Sequence, residues 1–161
     1  KVKRLNPDLV DLKTASVTHE FIDEQIEKCK TKLSSKDQDV DGAITNARSL
    51  VEAVMEFTFK DCGYEVPKHE GNLLNLYKEV KKLHNLSPEK DMSDTLKQIL
   101  TGLIGIITGL AGISNKMSDR HSRQYKPSVR HGKLAVNSAF TFCDFLLSTH
   151  ESNKNTHILK R

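Results

Sequence analysis

An all-α bundle of about five helices is the fold the sequence predicts, and three observations predict it. Apolar residues recur at helical spacing in five successive stretches, Gly and Pro are sparse at 8 and 4 of 161 residues, and no run of strict polar–apolar alternation reads as a strand. The length suits one domain with a real core.

Residues 1–15 read as a lead-in, 16–148 as the domain and 149–161 as a polar tail. Ser16 is expected to cap a first helix ending near Leu33, with Val17, Phe21, Ile22, Ile26, Cys29 and Leu33 as its stripe. SSKDQDVDG breaks that helix, and Asp41 is expected to cap a second one, in which Ile44, Ala47, Leu50, Val51, Val54 and Met55 face the core. Another face of it carries Thr45, Arg48 and Glu52. Arg48 and Glu52 stand one turn apart and read either as a surface pair or, if turned inward, as a buried pair that needs further partners.

Asn72 to about His84 forms a third helix, with Leu73, Leu74, Leu76, Tyr77 and Val80 as its apolar side. A fourth runs from about Ser93 to Asn115. Its run Ile99 to Ile113, at fifteen residues with two threonines, falls short of the roughly 18 that span a bilayer and reads as a buried helix. Gly102, Gly105, Gly109 and Gly112 fall in one narrow arc of it. Each costs about 0.8–1 kcal/mol of helix propensity against alanine, a loss that close approach of another backbone, inside the bundle or across a dimer, would offset. Pro127 and Ser128 open a fifth helix that packs through Leu134, Ala135, Ala139, Phe140, Cys143, Leu146 and Leu147.

Charge is uneven. Residues 114–133 hold six basic residues against Asp119 alone, a net +5, whereas the whole chain is +4. A local basic run suits a polyanion, above all nucleic acid, or serves as a solvated loop. The three cysteines are widely spaced and sit in apolar runs, which predicts reduced thiols and a cytoplasmic protein. No signal peptide or membrane anchor is expected, and the missing initial Met suggests a piece of a longer protein. The histidines include no i, i+4 pair, no two cysteines have zinc spacing, and no phosphate-binding glycine loop follows a strand, so neither metal nor cofactor is expected.

The candidate chemistry lies in ISNKMSDRH, where a polar break follows the most apolar helix. Imidazole titrates near neutral pH, which makes His121 a proton carrier if a reacting group comes near; by itself it also reads as an exposed loop histidine. Asn115 either caps the helix or points an amide into a pocket.

The order DGAITNARSLVEAV, LLNLYKEVKKLHNLSP, LKQILTGLIGIITGLAGISNKMSDRH and VRHGKLAVNSAFTFCDFLLST resembles the C-terminal domain of bacterial abortive-infection proteins over residues 41–148. That domain is similar to the HEPN group of helical, RNA-targeting effectors. The family segment reads like Arg-Asn-Lys-x-Gly-Asp-Ala-His-Gly, which Asn115, Lys116, Asp119 and His121 match, while Ser114 replaces the arginine, Ser118 and Ser122 stand at glycine positions and Arg120 replaces the small residue.

The resemblance implies a toxin-like phage-defence effector that cleaves RNA without metal. A 2′-hydroxyl attacks the adjacent phosphate, His121 moves a proton, Asn115 orients and Asp119 completes the set. Lys116, Arg120, Arg123, Lys126 and Arg130 would hold RNA, and Arg120 or Arg123 could supply the guanidinium that Ser114 lacks. Such sites form between subunits, so a homodimer joined to an upstream domain is implied. The alternative is a degenerate, non-catalytic domain that binds nucleic acid or dimerises for that upstream effector.

Overall fold

The computed structural model describes residues 13–34, 36, 38–86, 93–116 and 126–156, and of 13–19 and 113–116 the backbone alone. It is an all-α bundle of five helices: α1 Lys13–Ser34, α2 Val40–Asp61, α3 Leu73–Leu83, α4 Asp94–Lys116 and α5 Val129–Asn155.

The helix ends follow from local chemistry. Ser16 lies inside α1 rather than at its cap. At α2 the cap is Asp39, not Asp41: the Asp39 carboxylate accepts from the Gly42 N–H at 2.8 Å and pairs with Lys32 at 3.2 Å. That backbone hydrogen bond, ahead of the Lys32 contact, holds the Asp39 carboxyl below its ordinary value. α2 stops where Gly63 turns left-handed at φ 74° and the Tyr64 N–H reaches back to the Phe59 carbonyl at 2.9 Å. Asn72 caps α3 through Leu74 and Asn75, and Asn85, at φ 50°, ends it in the same way as Gly63. At α5 the acceptor role usually held by Glu falls to His131, whose Nδ1 receives the Ser128 N–H at 2.9 Å. α5 then runs on to Asn155 instead of ending at Ser148, and His150 within this extension is buried.

α2 is the central element. Ala43, Ile44, Ala47, Leu50, Val51 and Met55 are fully buried. α1 runs antiparallel to it, with the Cys29 thiol on the Ala43 carbonyl at 3.8 Å. α5 runs parallel to it: Gly132 sits against Val40 at one end and His150 against Asp61 at the other. α3 is clamped by an edge-to-face contact of Tyr77 with Phe142, ring centroids 5.6 Å apart. Phe142, absent from the sequence-level core, is among its largest buried side chains.

Several expected core positions face outward instead. Ile99 is 53% exposed, Leu134 48%, Phe21 39% and Ile106 37%. α4 buries Leu100, Ile104, Ile107 and Ala111 but presents Gly102, Gly105 and Gly109 to the outside, and a Cβ added at any of its four glycines would meet nothing within 4 Å. Among the described residues the expected approach of a neighbouring backbone inside the bundle therefore does not occur. Over Asp94–Gly112, 19 residues, α4 is also long and apolar enough by length and composition to cross a membrane, although one side of it packs into the bundle. The three cysteines are free thiols, as their spacing suggests.

Candidate nucleic-acid interface

Three groups of polar side chains answer to the sequence-level candidates or extend them. The first is the α4–α5 junction. Ser114, Asn115 and Lys116 form the last residues of α4, placed by backbone only, and Asp119, Arg120, His121 and Arg123 lie outside the described residues. On the far side of the junction Lys126, Arg130 and Lys133 are all exposed. They flank in sequence the N-terminus of the 27-residue α5, whose helix dipole adds to the positive potential.

The second group is the outward face of α2. The Arg48–Glu52 pair is neither a free surface pair nor a buried one: both side chains are about one-quarter exposed, with Arg48 Nη1 3.5 Å from Glu52 Oε2. Arg48 Nη2 also donates to the Gly71 carbonyl. Gly71 adopts φ 71° after Glu70 at φ 49°, so this turn aims a carbonyl at the guanidinium. The same turn brings in His69, which the sequence reading left out. Its Nδ1 lies 3.5 Å from Glu52 Oε1 and its Nε2 3.3 Å from Glu56 Oε1. Glu56 in turn holds Lys60 at 3.2 Å. Spacing gave Arg48 and Glu52 because they share a helix; only the return of the 64–72 segment onto α2 adds His69.

The third group closes the opposite end of α2. Asp61 Oδ2 accepts from His150 Nε2 and from Lys154 Nζ, both at 2.6 Å. The hydrogen bond from His150, then that from Lys154, holds the Asp61 carboxyl below its ordinary value against the effect of burial. His84 packs edge-on to His150 at 5.2 Å, and its two ring nitrogens are buried without a hydrogen-bond partner. Burial first, and then the charge of His150, lower the His84 pKa to about 3. Beside them the Cys62 thiol is pushed up to about 11, chiefly by burial, so it is a poor nucleophile at neutral pH. This group welds α2, α3 and α5 together, and Asn153 Nδ2 adds a bond to the His84 carbonyl at 3.0 Å.

The basic start of α5 lies at the Val40 end of α2, since Gly132 is seated there. Arg48 is eight residues from Val40, about 12 Å at 1.5 Å per residue, whereas Glu52, Glu56 and Lys60 lie in the half of α2 nearer Asp61. No curated protein and no solved structure matches the chain. Residues 20–150 match the Abi_C family model, described as a HEPN-like domain, and the chain belongs to that family.

Proposed function

We propose that this HEPN-like domain is the effector of a bacterial abortive-infection system and that it acts on RNA in the cytoplasm, as a homodimer governed by a further domain of a longer protein. The observation that carries the reading is the exposed set Lys126, Arg130 and Lys133 at the start of α5, directly after a segment whose Asn115, Lys116, Asp119 and His121 match the family motif. Phosphate binds best where fixed cations and a helix N-terminus coincide.

In this reading RNA lies along the α4–α5 junction. The 2′-hydroxyl attacks its own phosphate, His121 carries a proton to or from the reacting oxygens, and Arg120 or Arg123 offsets the charge that builds on the phosphorane. The exposed strip of α4, with Gly102, Gly105 and Gly109 flanked by Ile99 and Ile106, is the surface on which a second copy would bring two junctions together.

The test is incubation of a mixed RNA pool with the protein in EDTA, beside His121→Ala, with product ends read for 2′,3′-cyclic phosphate. Cleavage that vanishes in the variant supports the nuclease. One sequence feature favours a second reading: Ser114 replaces the motif arginine and cannot fork onto a phosphate. RNA retained in a salt-dependent manner without cleavage identifies a binding or dimerising domain that serves its upstream effector. Absence of RNA binding even at low salt refutes the nuclease and the RNA-binding domain alike, and leaves only a dimerising one.

A further inference from the structure

The α2 cluster has a geometry that its ion pairs do not account for. Glu52 and Glu56 sit one helical turn apart, and each divides its two oxygens in the same way. Oε2 of each faces a cationic side chain, Arg48 at 3.5 Å for Glu52 and Lys60 at 3.2 Å for Glu56. Oε1 of each faces His69, at 3.5 and 3.3 Å. His69 is only 12% exposed, and its Nδ1 is shut off from solvent without a hydrogen bond of acceptable geometry. The loop that carries it is fixed, because Asn72 N–H binds the His69 carbonyl at 2.7 Å and Arg48 binds the Gly71 carbonyl.

We propose that Glu52, Glu56 and His69 form a site for a divalent transition-metal ion of the zinc class, which clasps the 64–72 segment to α2. One ligand atom from each residue lies within 4.8 Å of the others. The 3.3 Å between His69 Nε2 and Glu56 Oε1 is about the edge of a tetrahedron with bonds near 2.0 Å, the length typical of zinc with nitrogen and carboxylate ligands, and since one ion takes a single ring nitrogen, binding at Nε2 draws Glu52 Oε1 over from Nδ1. An imidazole among the ligands selects against Mg2+ and Ca2+. Arg48 and Lys60 keep their own carboxylate oxygens when the ion binds through Oε1, so their charges weaken the site without blocking it. Three protein ligands leave a coordination position for water. The inference is independent of the RNA reading, since a clasp on this loop leaves cleavage in EDTA intact.

The test is titration of the EDTA-stripped, dialysed full chain with Co2+, read by visible absorption, followed by displacement with Zn2+. We expect one ion per chain, ligand-field bands without thiolate charge transfer, and at least tenfold weaker binding in both Glu56→Gln and His69→Gln, while Cys62→Ser binds as the parent. Far-UV circular dichroism verifies that each variant is folded, and Glu56→Gln is close to isosteric. Three results overturn the site: no Co2+ bound at millimolar concentration, unchanged affinity in the two variants, or a thiolate band that disappears with Cys62.

Discussion

α2 and α4 are built from the same kind of sequence and meet different fates. Both carry apolar residues at helical spacing, yet α2 sits against all four other helices with its apolar stripe dry, whereas α4 hides Leu100, Ile104 and Ile107 and shows Ile99, Ile106, Gly102, Gly105 and Gly109 to the outside. An apolar period predicts that a face wants cover. It does not say which molecule covers it. In α2 Ala43 and Ala47 are buried and a Cβ at Gly42 would meet Asp39 and Lys32, whereas in α4 a Cβ at any of the four glycines would meet nothing within 4 Å among the described residues.

The largest effect that sharpens this contrast is a cavity in the packed region. Phe142→Ala removes a ring that is 1% exposed and in edge contact with Tyr77, and it is expected to destabilise the fold by about 3–5 kcal/mol in urea unfolding. Next comes acid. Below pH 6.5 the unfolded chain protonates His84, whereas the folded chain resists protonation down to about pH 3, so stability is complete above 6.5 and falls as the pH drops through that window. The loss at pH 4 is on the order of 3 kcal/mol, and His84→Phe should flatten the slope there. Asp61 and Asp39, both held low, add losses of the same sign once the pH passes below their ordinary range.

The two smaller effects oppose each other in sign. Gly132→Ala places a methyl 2.7 Å from Leu33 Cδ2 and 3.1 Å from Val40 Cγ1, and should destabilise the fold by about 1–3 kcal/mol in the same assay. Gly105→Ala meets nothing and should stabilise the isolated chain by about 0.5–1 kcal/mol, while shifting sedimentation toward monomer if this face pairs two copies. A chain in which both glycines behave alike would break the distinction between the two regions.

Much of the fold was legible because helical period and capping chemistry are local. Asn72, Ser128 and the bounds of α4 follow from neighbours within a turn. The slip from Asp39 to Asp41 shows the limit: both aspartates stand at the start of the apolar run, and besides accepting from the Gly42 N–H, Asp39 is held by the backbone carbonyl and side chain of Lys32, from another helix. The exposure of Ile99 and Leu134 was hidden because period fixes a face but not its partner. In the site, motif order marked Asn115 to His121, but His69 and the His84–His150 contact join residues 13 and 66 positions apart, and nothing in local spacing encodes such pairs.

Gly132 has one more consequence. Wedged against Leu33 and Val40, it seats the first turn of α5, which also carries Arg130, on the α1–α2 corner. Arg130 and Lys133 are thus carried on a seated turn of helix. On the proposed reading, a polyanion landing there would ask little reorganisation of this part of the backbone, and the freedom lost would be chiefly its own.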